Sequence, residues 1–277
     1  MDSLYLAWRY LSYHKLRSVV LICCITIIGA LPLALEILVD ESERQLTLRA
    51  ETSPLLIGAK GSALDLVMNS LYFSEEAPET ITMAAVDQVQ ETGLAAPIPL
   101  LVSYRARTFP VVGTTLDYFD FRQLEIAEGT MFSLIGQCVL GAEVARKLNL
   151  GPGDSITSAP EAMFDIAGVY PLKMKVSGIL AVSDTADDRA VFVDIRTAWI
   201  IGGLGHGHVD VTRTGDQSVI LKKEDGNVTA NAKLMQYQEV TEDNIDSFHL
   251  HGDPAAFPIT AVLTVPDDAK SSTILQG

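Results

Sequence analysis

Residues 18–39, SVVLICCITIIGALPLALEILV, decide the architecture. From Ser18 to Leu35 no residue carries a charge, and the apolar run continues past Glu36 to Val39. A helix rising 1.5 Å per residue needs about 20 residues to cross a hydrocarbon layer of about 30 Å. The stretch is therefore read as one spanning helix, with Pro32 late in the run, where such a helix tolerates it. A cleaved signal peptide, with Val19 to Ala30 as its apolar region and a small-residue site near Ala34, is the other reading. Two features weigh against it. The leader of residues 1–17 is long for a signal peptide, and Leu33 to Val39 brings the run to full spanning length.

Charge orients the helix. Residues 1–17 hold Arg9, Lys15 and Arg17 against Asp2 alone, a net +2, so the other 260 residues hold −17 of the total −15. Cations stay on the cytoplasmic side, which puts the N-terminus inside and the acidic bulk across the membrane. Within the leader, Leu4, Trp8, Leu11 and Lys15 recur at helical spacing, as in an amphipathic helix at a membrane surface. Nucleic-acid binding needs clustered positive charge and is excluded by an excess of acid. Only Cys138 lies beyond the helix, since Cys23 and Cys24 are inside it, so no disulfide scaffold is available to residues 40–277. That part needs its own apolar core, and its length is sufficient for one.

The pattern downstream is a mixture of helices and strands with no repeat, giving an α+β class. Asp40 to Glu51 continues the spanning helix as a stalk, and Leu55 to Gly58 is a short strand. Helices are expected at Ser62–Tyr72 and Thr82–Glu91, and strands at Ala95–Arg105 and Thr108–Thr115 around a turn at Arg107. Further strands are expected at Cys138–Gly141, Ser155–Thr157, Lys173–Val182 and Ala190–Asp194, with helices at Ala142–Leu148 and Ile195–Ile201. Gly205–Pro258 is polar and loop-rich, and Ile259–Val265 alternates as a strand in need of a partner edge. The domain plan that follows has a lead-in helix at 1–17, a transmembrane helix at 18–39 and a core domain at 40–277. Within the last, residues 52–118 with 257–277 form a mixed α/β lobe, and 119–256 an inserted, mainly β lobe.

Few motifs carry chemistry. Gly58-Ala59-Lys60-Gly61-Ser62 lacks the spacing of a phosphate loop and reads as a strand-to-helix turn. Gly202-Gly203-Leu204-Gly205-His206-Gly207 follows a helix and reads as a flexible loop. Ser12-x-x-Lys15 has no partner motif. No catalytic residue and no cofactor is expected, so the chain is not read as an enzyme. Asn227-Val228-Thr229 matches a glycosylation sequon and is given no weight. One constellation stands out: His206-Gly-His208-Val-Asp210 and His249-Leu-His251-Gly-Asp253 repeat His-x-His-x-Asp. On an extended strand each pair would face one side and could present two imidazoles to one metal. Fixing four ligands in polar, Gly-rich loops costs entropy, so His206, His208, His249 and His251 are expected to be solvated rather than metal-bound.

The order of segments is more specific than any one of them. AWRYLSYHKLRSVVLICCITIIGALPLAL (7–35) resembles the lead-in and first spanning helix of ABC-transporter permeases of the MacB/FtsX-like superfamily. FPVVGTTLDYF (109–119), EIAEGTMF (125–132), CVLGAEVARKLNLGPGDSI (138–156), KVSGIL (175–180) and RAVFVDIRTAW (189–199) resemble successive motifs of the MacB-type periplasmic core domain. Gly129, Phe132, Val139 to Gly141, Leu148, Gly153 and Asp154 match the pattern, with Asn149 where glycine is usual. The resemblance implies a non-catalytic permease subunit of the bacterial inner membrane. Its implied partners are a cytoplasmic ABC ATPase subunit, a second permease copy in a homo- or heterodimer, a periplasmic adaptor or lipoprotein, and the lipid bilayer. Such permeases relay ATP-driven motion of spanning helices to the periplasmic domain, for export or for lipoprotein or peptide handling. They have four or more spanning helices, so the sequence is expected to stop short of a second one. A single-pass, membrane-anchored periplasmic binding or adaptor protein is the alternative.

Overall fold

The computed structural model describes residues 2–53, 55–74, 77–159, 171–207, 220–224, 227–230 and 238–276. The chain divides into two units, Met1–Thr52 and Ser53–Gly277.

The first unit is helical. Helix α1 (Asp2–Tyr13) bends at His14 into α2 (Lys15–Glu51), a helix of 37 residues with Pro32 inside it. Bonds from His14 N–H to the Tyr10 carbonyl and from Ser18 N–H to the His14 carbonyl, both 3.0 Å, carry the ladder through the bend. At 1.5 Å per residue α2 is about 55 Å long, well beyond the hydrocarbon thickness of a bilayer. Lys15–Arg44 is long and apolar enough to cross a membrane, and its apolar window is wholly uncovered by the chain itself. Ile28 stands 72% exposed. Such a surface is stable against lipid and costly against water.

The second unit is built on a nine-stranded mixed sheet. In chain order its strands are β1 (Leu55–Gly58), β2 (Ala95–Ala106), β3 (Phe109–Thr114), β4 (Ile126–Gly129), β5 (Gln137–Leu140), β6 (Ser155–Thr157), β7 (Lys173–Leu180), β8 (Val191–Asp194) and β9 (Ala261–Pro266). Their spatial order is β1-β9-β2-β3-β8-β5-β7-β4, and β6 also pairs with β7. The late strand β9 lies between β1 and β2, antiparallel to both, with Leu263 opposite Leu56 and Ile98. Strand β3 runs parallel to β8, with Val112 opposite Phe192. Strands of the 52–118 and 119–256 segments thus lie side by side in one sheet.

The sheet is covered on both faces, and residue alternation assigns each side chain to one of them. Val111, Cys138, Leu140, Val191, Val193 and Val262 point into one core with Val86, Ala198 and Trp199. Their neighbours Val112, Val139, Phe192, Ala261 and Leu263 point into the other, with Phe73, Tyr118 and Phe119. The first face is covered by α4 (Ala84–Thr92) and α7 (Ile195–Ile201). The second packs against the ends of α3 (Ala63–Tyr72) and α5 (Asp117–Arg122). Two further helices, α6 (Ala142–Leu148) and α8 (Ala269–Gln276), complete the described set. Burial on both faces explains why β3, β5 and β8 read as continuous apolar runs.

Two local expectations are corrected. The helix expected from Thr82 starts at Ala84, because Ile81–Thr82 pairs with Pro258–Ile259. The flexible loop expected at 202–207 contains a strand, Gly205–Gly207, paired antiparallel with Phe248–Leu250. By contrast, Gly58–Ser62 is the strand-to-helix turn it was read as, with the Ser62 hydroxyl capping α3 by accepting from Asp65 N–H at 3.2 Å.

Candidate functional site

The small ribbon of Gly205–Gly207 and Phe248–Leu250 has two unlike faces. Its register sets Gly205 opposite Leu250, His206 opposite His249 and Gly207 opposite Phe248. Phe248 and Leu250 pack against the core with Leu204. A Cβ on Gly207 would sit 2.6 Å from the Phe248 ring, and one on Gly205 2.6 Å from Leu250. The glycines therefore let the two strands close over the apolar side chains. Alternation then sends His206, His249 and His251 to the other face.

There the three imidazoles meet. Ring centroids are 5.4 Å apart for His206 and His249, 4.7 Å for His206 and His251, and 4.6 Å for His249 and His251. One ring nitrogen from each lies within 4.8 Å of the other two. The Nε2 atoms of His206 and His251 approach to 3.4 Å. His251 is fixed by its backbone, whose N–H donates to the Leu204 carbonyl at 2.9 Å and lengthens the ladder by one residue. His249 Nδ1 lies 3.3 Å from the Ser247 carbonyl. His206 is half-buried, and His249 and His251 are exposed.

Of the four histidines singled out by the sequence, three are brought together. His208 and Asp210 lie outside the described residues. Asp253 is used otherwise, as a cap accepting from Ala255 N–H at 3.0 Å. The entropy objection weakens because His206 and His249 sit on paired strands whose other face is anchored in the core. Ser12 and Lys15 fall on either side of the bend between α1 and α2, both exposed.

A second polar cluster went unread in the sequence. Tyr118, fully buried on α5, donates its hydroxyl to Asp187 Oδ1 at 2.7 Å. Thr185 donates its hydroxyl to Asp187 Oδ2 at 2.7 Å. Asp188 accepts from the N–H groups of Ser183 and Asp184, both at 2.9 Å. The Thr185-x-Asp187 spacing is a capping signal, but the partnership with Tyr118 spans 69 residues and leaves no local trace. Elsewhere among the charged groups, Lys147 at i+4 donates to Glu143 and holds its carboxyl below the usual range. Arg196 is held above its ordinary value by its bond to Asp194 at 2.8 Å.

Comparison with known proteins places this architecture. The family described as the MacB-like periplasmic core domain matches residues 36–235. The chain belongs to that family. It is a MacB/FtsX-like chain with an N-terminal apolar helix. No curated protein sequence matches it. Among solved structures it is similar to the extracellular domain of the noncanonic ABC-type transporter YknZ from Gram-positive bacteria. There the identity is 15%, with 53% of this chain and 75% of that one covered at a TM-score of 0.36. It is also similar to the periplasmic region of MacB from Actinobacillus actinomycetemcomitans, at 11% identity, 52% and 64% coverage and a TM-score of 0.36. A domain of a permease protein from Porphyromonas gingivalis, described there as putative, matches at 17% identity, 42% and 58% coverage and a TM-score of 0.29.

The motifs of the MacB-like domain have local physical reasons here. A Cβ on Gly141 would lie 2.2 Å from the Asp187 carbonyl oxygen, so only glycine lets β5 turn into α6 against the 183–189 segment. Asn149, where the MacB pattern usually has glycine, closes α6 with φ of 52°. Asparagine is the non-glycine residue that best tolerates that left-handed backbone. Phe132 packs edge-on against Phe119, with centroids 5.8 Å apart, tying the 125–132 motif to the 109–119 motif.

Proposed function

We propose that this chain is the permease subunit of an ABC transporter, working with a separate cytoplasmic ATPase and a second permease copy. Its N-terminus lies in the cytoplasm and residues 40–277 in the periplasm of a bacterial inner membrane. Motion driven by ATP hydrolysis passes along α2 to the MacB-like domain, which handles an exported molecule, lipoprotein or peptide. The observation that carries this reading is the continuity of α2, whose 37 residues run unbroken from Lys15 to Glu51 into the MacB-like segment. A continuous helix longer than the membrane is suited to carry force across it. Residues 1–277 hold no phosphate loop, which fits ATP hydrolysis by a separate subunit.

The test is purification of the full-length protein from its native membrane in mild detergent. Co-purification of an ABC ATPase, with ATP turnover that disappears when that subunit is stripped away, is the expected result. Purification without any ATPase, or ATP turnover by this chain alone, overturns the proposal.

A further inference from the structure

We propose that His206, His249 and His251 form a three-histidine binding site for a divalent transition-metal ion of the zinc class. The argument starts from donors. Among the described residues the cluster is three imidazoles with no carboxylate or thiolate, a donor set that suits zinc, copper or nickel over calcium or magnesium. Geometry comes next. Tetrahedral zinc with Zn–N bonds of about 2.0–2.1 Å sets its nitrogen ligands about 3.3 Å apart. The Nε2 atoms of His206 and His251 are already at 3.4 Å. In the metal-free protein that contact requires one ring to donate and the other to accept. Moving the donor's proton to its Nδ1 turns both lone pairs toward a shared ion.

The surroundings favour ligation by the third ring. A carbonyl only accepts, so the contact between His249 Nδ1 and the Ser247 oxygen places the proton on Nδ1 and the lone pair on Nε2. This is the outer contact that metal-bound histidines use to set their tautomer. The backbone supplies preorganisation, since His206 and His249 are directly opposed and His251, just past the end of the second strand, is held by its N–H bond to the Leu204 carbonyl. Exposure of His249 and His251 leaves room for water in a fourth position.

The experiment uses full-length protein in detergent micelles with no histidine tag, in a Cys23→Ser/Cys24→Ser background that removes the membrane thiols. Isothermal titration with zinc chloride should give one site per chain, micromolar or tighter, and a rise in the thermal midpoint. His249→Ala and His251→Gln should each weaken binding at least tenfold and abolish that rise, while leaving the circular dichroism of the zinc-free protein unchanged. Cobalt in place of zinc should show visible ligand-field bands without a thiolate charge-transfer band. Binding of equal strength in the variants, a thiolate band, or no saturable site would overturn the assignment. The outcome is independent of whether an ATPase co-purifies.

Discussion

Tyr118 and Asp187 show how one side-chain pair ties distant segments together. Both are buried, and their 2.7 Å bond joins α5 to the turn before β8. Tyr118→Phe keeps the ring contacts with Phe119 and Phe192 but removes the donor. Loss of such a bond to a buried charged acceptor costs about 1–3 kcal/mol. Urea unfolding should therefore show a lower midpoint at unchanged slope, and an unchanged midpoint would mean the bond is unimportant. Asn149 is the residue whose conformation was most nearly legible beforehand. A position that usually carries glycine announces a left-handed backbone, and its φ is 52°. Tyr118 gave no such sign, because its partner lies 69 residues away.

Among the elements, β5 and the seat of α7 are tightly constrained. Cys138 on β5 is fully buried, and burial pushes its thiol well above the ordinary range. Folded protein keeps this proton, whereas the unfolded chain loses it above about pH 8.5. The native state then binds more protons, so stability declines as pH rises beyond that point, by at most about 1.4 kcal/mol per pH unit. Cys138→Ala should lack this part of the alkaline slope in denaturant unfolding at pH 8 and pH 10. Parallel slopes for the two proteins would count against the burial argument. Gly113 on β3 presents a different constraint: a Cβ there would lie 2.4 Å from the Ala198 Cβ on α7. Gly113→Ala should lift α7 from the sheet at a cost of about 1–3 kcal/mol. A thermal midpoint equal to wild type would show that the helix yields freely.

At the scale of the whole molecule, the two units make separate demands on solvent. The first exposes an apolar helix, while the second encloses two apolar cores around one sheet. A fragment of residues 53–277 should be soluble, monodisperse and cooperatively folded without detergent, as measured by light scattering and thermal circular dichroism. Aggregation of that fragment would show that its fold depends on the helix. Topology is tested separately in intact cells. The +2 of residues 1–17 and −17 of residues 18–277 place a cysteine introduced at Asp154 within reach of a membrane-impermeant maleimide. Labelling only after lysis would reverse the orientation.

The sequence by itself determined what depends on neighbours in the chain. Hydropathy over 18–39 set the apolar helix, and charge asymmetry set its expected orientation. Local periodicity located α3, α6, α7 and most strands, because pattern and capping act over a few residues. Motif order along 109–199 identified the family, since spacing survives when individual residues diverge. Only the tertiary structure decided contacts that close over long separations. It inserted β9 between β1 and β2, set β3 parallel to β8, and paired Tyr118 with Asp187. It also turned a Gly-rich segment into a strand, because Gly205 and Gly207 leave the space that Leu250 and Phe248 occupy. The sequence showed two histidine pairs but not their meeting. His206 and His249 are 43 residues apart, and only an antiparallel register, fixed by packing of the opposite face, brings their rings together.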